Sequence, residues 1–533
     1  MNGYLIALAV FLAYIALVFV LNRGKWFERH SMSLMGPMIM WRTRKGRDFI
    51  ERLSSHKRLW GFYGKAALWI CAISMLTIMT LLLWEATIVS QVDEPPSPEL
   101  ILGLPGVNPV IPLWYGILGL VIAIVIHEFS HGVLTRNGDM RIESLGLVFL
   151  VVPIGAFVEP DEKEMKATTR RKRSRVFAAG PASNMIAAFV FLGLFSGVMM
   201  STLEPVEEGA LAIGVVEGSP VSIAGMDPNG LVTAVGGVSV RNESDLSGLD
   251  TITPGSRVNI SYFYDGETII VSDVVYGVVV SYVAQGFAAS DAGLEVGMVL
   301  VSLNDTPILN ADTLSSVMSE ARAGQVVNIV VMSYDDQAEA FQIDDDVTSV
   351  QLSDKWDYYE EYAPRDNKEE YRGMAYLGGG FLGMGIQARD ASFYGDFFSN
   401  PFSDISNVDD FSRSWLRLIA LPFLDLAPVS SPVTDLYAPS GWLGWMPDSA
   451  FWVISNSFYW IFWLNLMIGL TNVLPAVPLD GGYIFRDGLD YLVERARKSY
   501  TAEKREQMVG TITMALALIV LGLILWQIVG PAL

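Results

Sequence analysis

The sequence predicts an α-helical multi-pass membrane protein of about six transmembrane helices, interrupted by a large segment of mixed α/β structure. Three observations predict this class. Hydrophobic residues make up 51% of the 533 residues and the mean hydropathy is +0.37, too apolar for a soluble protein of this size. Six apolar runs each approach the ~20 residues that a bilayer requires. The segment 202–449 instead contains stretches with the alternating pattern of half-buried strands.

The apolar runs define the predicted transmembrane helices. The first lacks a positively charged start and a small-residue cleavage site, so we interpret it as a retained anchor and not as a signal peptide. The six runs are 4–21, 66–84, 113–135, 176–200, 450–474 and 509–529.

The charges of the loops predict the orientation. The loop between the first two runs has eleven Lys or Arg residues, and the positive-inside rule places it in the cytoplasm. The N-terminus and the segment 202–449 then lie outside, and that segment contains 37 acidic against 10 basic residues. The net charge of −21 argues against a nucleic acid partner, because phosphate binding needs basic patches. The single cysteine, Cys71, excludes an intrachain disulfide.

The outer segment contains an internal repeat. "EGSPVSIAGMDPNGLVTAVGGVSV" at 217–240 matches "QGFAASDAGLEVGMVLVSLNDTPI" at 285–308, and the similarity continues into a later strand pattern in both units. In each unit a short helix ending in Ala-Gly precedes a strand, a turn, a strand, a helix and a closing strand. This order resembles a tandem pair of PDZ domains, predicted at 203–275 and 276–345.

The sequence does not decide the role of these two units. PDZ domains bind extended peptides by adding a strand to a sheet edge. The sequence contains no recognisable carboxylate-binding loop of the Gly-Leu-Gly-Phe type, so no ligand residue is assigned. Peptide capture, a plug that excludes bulky proteins and a purely structural cap are all compatible with the pattern. Residues 346–449 are expected to form an outer connector. Its stretch "SWLRLIALPFLDL" is either an amphipathic helix on the membrane surface or part of a long aromatic linker.

The stretch "HEFSH" in the third apolar run indicates a metal site. His127 and His131 are four residues apart, so on a helix they lie on one face and can share an ion, with Glu128 beside them. A polar pair that bonds between helices is the alternative, although ionisable groups at membrane depth are costly and usually functional. A catalytic zinc usually has three protein ligands. His30 and His56 lie in the basic loop, where we expect solvated side chains.

Asp480 is the best candidate for the third ligand. It lies in "LTNVLPAVPLDGGYIF", where Pro475 and Pro478 break an apolar helix. Irregular backbone at membrane depth persists only where protein buries it or where it lines a wet cavity. The alternative is a capping or turn residue at the end of the membrane helix.

Together, "HEFSH" and "NVLPAVPLDGG" resemble the site-2 protease family of intramembrane zinc metalloproteases, in its PDZ-bearing prokaryotic form. "SLGLVFLVVPIGAFVEPDE" from 144 and "AAGPASN" from 178 agree with that family. The resemblance implies a protease core of three helices within 113–202 and 450–490. Residues 1–112, with two helices and the basic loop, and the connector at 346–449 are then accessory. Residues 491–533 are expected to form a basic cytoplasmic helix and the last transmembrane helix.

The resemblance also implies the site residues. One zinc ion would be held by His127, His131 and Asp480, with Glu128 as the catalytic glutamate. Zinc lowers the pKa of water to about 7, and Glu128 can take the proton and return it to the leaving amine. Asn472 matches the family's asparagine eight residues before the aspartate. It would donate to the oxyanion, position the substrate or stabilise the helix break, and the sequence does not separate these roles.

The segment 144–158 is predicted to be a re-entrant hairpin, because its apolar part is too short to cross the membrane and contains Gly146, Pro153 and Gly155. Its edge could pair with an unwound substrate; a hydrophobic loop packed beneath the helices is the alternative. In "AAGPASN", Gly180 and Pro181 are expected to break the helix start. Asn184 is expected to serve in packing and not in catalysis.

The expected function is therefore proteolysis within the plasma membrane, near its cytoplasmic side, with transmembrane protein substrates in the lipid bilayer and the PDZ units as a substrate filter. A catalytically silent membrane scaffold that binds peptides through its PDZ pair is the alternative. A metalloprotease of another family with a cytosolic active domain is a third possibility, but the basic loops offer no further metal motif. The oligomeric state is left open.

Overall fold

The helices of the protein follow the apolar runs of the sequence. The structure is a computed structural model, which describes residues 3–24, 26–30, 32–43, 47–89, 98–101, 103, 105–150, 152–345, 349–363, 367–403 and 405–532. Its α-helices are α1 Gly3–Arg23, α2 Trp26–Arg29, α3 Arg47–Ser54, α4 Lys57–Ile88, α5 Leu113–Asn137, α6 Glu162–Ala167, α7 Arg170–Gly193, α8 Pro220–Ile223, α9 Glu243–Ser247, α10 Ala288–Asp291, α11 Ala311–Glu320, α12 Lys355–Glu361, α13 Phe393–Ser399, α14 Val408–Ala420, α15 Asp448–Asn472, α16 Asp480–Ala496 and α17 Ala502–Val529.

Within the described residues, five helices are long and apolar enough to cross a membrane: α4, α5, α7 with its extension to Thr202, α15 and α17. They correspond to five of the six predicted runs, so the chain is a multi-pass membrane protein. The first predicted run coincides with α1. The side chains of α1 before Leu12 lie outside the described residues, so the count of six stays a prediction.

The strands form several sheets. They are β1 Met32–Met35, β2 Met38–Thr43, β3 Ile142–Leu150, β4 Val152–Pro160, β5 Leu203–Pro205, β6 Ala210–Val215, β7 Gly230–Val235, β8 Val238–Ser239, β9 Arg257–Tyr264, β10 Glu267–Val275, β11 Val278–Val283, β12 Val299–Leu303, β13 Thr306–Pro307, β14 Val326–Asp335, β15 Ala340–Ile343, β16 Ser349–Gln351, β17 Ser353–Asp354, β18 Ala375–Tyr376, β19 Gly379–Gly383, β20 Ile386–Asp390 and β21 Tyr437–Pro439.

The chain divides into two compact units. The first comprises Met1–Val198, Ile405–Pro428 and Val453–Leu533, and the second comprises Met199–Asp404 and Val429–Trp452. The first unit therefore contains most of the apolar helices. The second contains the repeated segment of the sequence.

In the first unit, β3 and β4 form an antiparallel hairpin over the segment where the sequence predicts one. The basic loop before α3 contributes two further strands, which the sequence analysis did not anticipate. β2 pairs with β3 from Ile39 opposite Phe149 to Thr43 opposite Leu145, and β1 pairs with β2. The result is a four-stranded sheet in the order β1-β2-β3-β4, in which β4 is an edge strand.

Small residues bring the helices of this unit close together. Ala67 and Cys71 of α4 are fully buried against Ala178 and Ala182 of α7. Such side chains allow the close backbone approach on which helix packing in membranes depends. Helix α4, expected to be accessory, therefore packs directly on the predicted core.

Ion pairs join α7 to α16 at the start of α7. The Arg173 guanidinium donates to the carboxylate of Asp487, with Nε 3.0 Å from Oδ2, and Ser174 Oγ donates to the same oxygen at 3.1 Å. Asp487 is almost fully buried. Arg170 adds a pair with Asp490 at 2.5 Å.

The second unit contains two sheets with the same arrangement. Their orders are β10-β9-β7-β6-β20 and β15-β14-β12-β11-β19. In each sheet a short helix, α8 or α10, precedes β7 or β12, and a second helix, α9 or α11, precedes β9 or β14. The element order predicted for the sequence repeat is thus present in both halves. The assignment of these halves to the PDZ class stays a prediction.

The edge strands β19 and β20 come from outside the repeat. β19 pairs with β11 and β20 pairs with β6, so one stretch of the expected connector adds a strand to each sheet. Each sheet therefore extends beyond the predicted limits at residues 275 and 345.

Two short strands near the first and last residues of the second unit pair with each other. β5 pairs with β21, with Leu203 opposite Pro439, and the Ser440 N–H donates to the Thr202 carbonyl at 2.7 Å. We call this ladder the neck. Helix α13 packs beside it, and the Tyr394 N–H donates to the Tyr437 hydroxyl at 3.2 Å.

Candidate active site

Helix α5 presents the two histidines on one face. The rings of His127 and His131 lie 4.7 Å apart between centroids and are nearly perpendicular, as expected for residues one turn apart. His127 is buried. Gly119, two turns earlier, allows close contact with α15, since a Cβ there would lie 2.8 Å from the Trp460 carbonyl oxygen.

The helix break predicted around the two prolines is present and positions Asp480. Helix α15 ends at Asn472, and α16 begins at Asp480. The chain between them folds back onto the first turn of α16, where a Cβ on Gly482 would lie 2.5 Å from the Val477 nitrogen. A glycine is therefore required for this approach. Asp480 lies in the first turn of α16, where the helix dipole favours a carboxylate.

The structure brings together the three predicted ligands. Asp480 Oδ2 lies 3.0 Å from His127 Nε2 and 3.2 Å from His131 Nε2. One ligand atom from each residue lies within 4.8 Å of the other two. Two imidazole nitrogens and a carboxylate oxygen form a donor set that suits zinc and leaves a fourth position for water or substrate. The residues present therefore fit a single zinc ion.

Helix α7 leaves space beside these atoms. Gly180 faces both rings, and a Cβ at this position would lie 2.6 Å from each Nε2. Glycine is thus the only residue that leaves the two ligand nitrogens uncrowded. Pro181 follows inside the helix, where it removes one backbone donor.

Glu128 extends toward the hairpin. Its Oε2 accepts a hydrogen bond from the Val158 N–H of β4 at 3.1 Å. Because β4 is an edge strand, this N–H is not used within the sheet. The glutamate is therefore fixed between the histidine helix and the free edge of the sheet.

The hairpin glycines have different environments. Gly146 lies directly against the Phe157 ring and the Trp41 carbonyl, so a side chain there would clash. Gly155 has only an ordinary contact with Val148, and Pro153 pairs with Phe149 next to a shift in register. These positions shape the sheet. Their predicted role in substrate binding stays a prediction.

Asn472 ends α15, eight residues before Asp480. Its Nδ2 donates to the Ile468 carbonyl of its own helix at 3.0 Å. One of the two N–H groups of the amide therefore serves the helix end. The predicted role of Asn472 toward the oxyanion or the substrate stays a prediction.

A cavity of about 710 Å³ in the first unit was not predicted. Phe177 and Tyr483, whose rings stack at 4.6 Å, line it together with the ion-paired side chains of α7, α16 and α17. Phe177 is three residues before Gly180, and Tyr483 is three residues after Asp480. The dense alternation of charges in "ERARKSYTAEKRE", part of which lines the cavity, is the sequence signal that could have indicated it.

Comparison with known proteins decides the family. The family model described as peptidase family M50 matches residues 115–520, which include the histidine helix, the helix break and everything between them. The chain belongs to peptidase family M50. This confirms the resemblance to the site-2 proteases.

Two relatives show how far the similarity extends along the M50 chain. An uncharacterized protein of Methanocaldococcus jannaschii is 32% identical over 162 residues, which cover 29% of this chain and 42% of the relative. The zinc metalloprotease RasP of Shouchella clausii is 30% identical over 119 residues, 22% of this chain and 27% of RasP. The aligned regions thus cover less than half of either relative.

Proposed function

We propose that this M50 protein is an intramembrane zinc endopeptidase that cleaves transmembrane segments of other membrane proteins. The observation that carries the proposal is the convergence of His127, His131 and Asp480 from separate apolar segments, with Glu128 beside them. A catalytically silent scaffold would need none of these four side chains in this arrangement.

The chemistry follows from the residue types. His127, His131 and Asp480 would hold the ion, which when bound acidifies water and polarises a carbonyl group. Glu128 accepts the proton of the attacking water and delivers it to the leaving amine. Its hydrogen bond to the Val158 N–H keeps the carboxylate at the sheet edge, where the scissile bond would lie.

The free edge of β4 supplies the substrate site. A transmembrane helix hides its backbone groups in its own hydrogen bonds, so cleavage requires a local unwinding and new partners for the freed groups. Alternate residues of an edge strand direct their N–H and C=O away from the sheet. Ala156 therefore shares the outward direction of Val158 and offers both groups to an extended substrate.

A direct test compares the wild-type protein with Glu128→Gln and with a chelator-treated sample, in detergent, on a model single-pass segment. We expect cleavage by the wild type alone, and restoration by zinc after chelation. Glu143→Gln, an exposed glutamate of β3, is the matched control and should cleave normally. Zinc must be measured in every sample. Equal cleavage, or none, in all zinc-loaded samples would refute proteolysis.

We also propose the orientation and the filter. The basic loops lie in the cytoplasm, and the N-terminus and the second unit lie outside, as the positive-inside rule indicates. The two sheets of the second unit would then act as PDZ-like domains that exclude bulky substrates or sort them. Cysteines placed singly at exposed loop positions in a Cys71→Ala background, labelled by an impermeant maleimide in whole cells, test the sidedness.

The structure suggests a specific deletion for the filter. Removing residues 207–390 and joining the ends with a short Gly-Ser linker leaves β5, α13 and β21 in place, since α13 lies beside the neck. We expect the deletion variant to cleave model substrates with large folded outer domains that the full chain rejects. If such substrates remain excluded, the second unit is not the gate.

A further inference from the structure

One face of α7 contacts the outward side of both histidines. Val176, Gly180 and Asn184 are spaced four residues apart and therefore lie on the same side of the helix. The Val176 carbonyl accepts a hydrogen bond from His131 Nδ1 at 2.7 Å. At the other end of the face, Asn184 Nδ2 lies 3.4 Å from His127 Nδ1. Each ring therefore meets α7 with the nitrogen that does not face Asp480.

The protonation state of a metal-binding imidazole determines whether the partner of its second ring nitrogen must be a hydrogen-bond donor or an acceptor. Both Nε2 atoms face Asp480, so each ring would coordinate a metal ion through Nε2 and would then have its proton on Nδ1. For His131 the partner is a carbonyl, which accepts that proton. For His127 the nearest atom is the amide nitrogen of Asn184, which is itself a donor.

Two donors would then face each other, and the amide oxygen of Asn184 offers an acceptor instead. It is buried without a hydrogen-bond partner in the described part of the chain, and the side chain as a whole has no exposed surface. The two orientations of an amide have nearly the same shape. A half-turn of the amide places Oδ1 against the His127 Nδ1–H as an acceptor.

Packing holds Asn184 at this position. Gly469 of α15 lies close behind it, since a Cβ there would be 3.4 Å from the Asn184 Cβ and 3.3 Å from the Pro181 carbonyl oxygen. The side chain is thus confined between α5 and α15. A confined amide can fix the plane of the ring that it contacts.

We propose that Asn184 is a positioning residue whose side-chain oxygen accepts a hydrogen bond from His127 Nδ1 and so directs Nε2 toward the metal. This proposal rests on the proposed zinc site. It predicts that a carboxylate can replace the amide, because a carboxylate only accepts hydrogen bonds, and that an apolar side chain of similar size cannot.

The test measures zinc affinity by competition with a chromogenic chelator, in purified protein with a verified thermal unfolding transition. We expect Asn184→Leu to bind zinc about 10–100-fold more weakly, the usual effect of losing the partner of a ligating histidine. Asn184→Asp should remain within about threefold of the wild type. In cleavage assays, Asn184→Leu should lower kcat at saturating zinc and leave KM unchanged.

Asn465→Leu is the matched control. Asn465 is also fully buried in a membrane helix, and its amide oxygen likewise has no partner among the described residues. Its replacement should leave zinc affinity unchanged. If Asn184→Leu fails to fold, Asn184→Ala is measured in its place, with the same expected loss.

Two results would overturn the proposal. Unchanged zinc affinity in Asn184→Leu or Asn184→Ala would leave only a packing role. A loss in Asn184→Asp as large as in Asn184→Leu would mean that the oxygen is not the functional atom. If the wild type binds zinc but cleaves no substrate, the proposed function fails while the zinc affinities still decide the role of Asn184.

Discussion

Replacing Gly180 with alanine should weaken metal binding strongly without unfolding the protein. The added methyl group would lie 2.6 Å from Nε2 of both His127 and His131, whereas ordinary contact begins at 3.4 Å. Each ring would therefore have to move by about 0.8 Å, the difference of these two distances, while metal–ligand distances tolerate only about 0.2 Å. We expect zinc affinity to fall by about 100-fold, the upper end of the effect of disturbing a ligand's surroundings.

The same α7 helix supplies the control. Gly193 has no atom within 4 Å of an added Cβ, so Gly193→Ala makes the same chemical change without the clash. Alanine favours a helix by about 1 kcal/mol over glycine, so Gly193→Ala should not lower the thermal unfolding temperature. Zinc competition and cleavage are measured in both variants. Equal zinc affinities, within about threefold, would show that Gly180 does not keep the ligand nitrogens free.

Three further predictions concern the surroundings of the site. Val158→Pro removes the N–H that bonds Glu128 and should lower kcat about 10-fold, the equivalent of about 1.5 kcal/mol, with zinc content unchanged by metal analysis. Asp487→Asn leaves Arg173 without its charge partner and should lower the free energy of unfolding by about 1–3 kcal/mol, measured as a lower unfolding temperature. Recovery of that temperature in the charge-reversed double variant would support the ion pair. An unchanged temperature in the single variant would contradict it. A hydrogen bond from a lysine holds the pKa of Asp139 below its ordinary value, so its contribution to stability is present at pH 7 and is lost as the pH falls through that lowered pKa. The unfolding temperature of the wild type should exceed that of Asp139→Asn slightly at pH 7, and the difference should shrink as the pH falls below the ordinary range of a carboxyl pKa.

The ligands of the site were predictable because each has a strong local signal. Ionisable side chains are rare in apolar helices, so His127 and His131 are conspicuous in α5. Asp480 is conspicuous because two prolines and two glycines surround it in an otherwise apolar stretch. The approximate positions of the five long apolar helices were also predictable, since about 20 apolar residues in succession allow few alternatives. Their bounds were not, because α4, α7 and α17 begin before the apolar runs, at Lys57, Arg170 and Ala502.

The sheets were less predictable because strand pairing depends on distant partners. The stretch "MSLMGPMIMWRT" contains two strands around a Gly-Pro turn, a signal that its basic flanks obscured. The stretch around Phe381 has the high glycine content that is typical of a loop. It nevertheless forms β19 and begins the turn to β20. Its partners lie about a hundred residues or more earlier, and nothing in the local pattern identifies them.

The expected break at the start of α7 was wrong, whereas the packing role expected for Asn184 is contradicted by nothing in the structure. "AAGPASN" was interpreted as a broken helix start with a packing asparagine, because each residue was considered singly. In the structure the helix continues through Pro181. Val176, Gly180 and Asn184 are spaced four residues apart and lie on one face of α7. Only this spacing shows that a carbonyl group, a glycine without a side chain and an amide group all face the two histidines of α5.

The neck concerns the long stretch of chain, most of it the second unit, that separates the two parts of the sequence supplying the metal ligands. His127 and Asp480 are 353 residues apart, and most of that separation is the unit that begins at β5 and returns at β21. The entropic cost of closing a loop grows only with the logarithm of its length. Because β5 and β21 are hydrogen-bonded neighbours, the first and last parts of the second unit lie close together, although Ile405–Pro428 between them belong to the first unit. The ligands themselves come from α5 and from the helix break, and α7 and α15 pack directly against them, so local packing can hold the ligand geometry although the ligands are far apart in sequence.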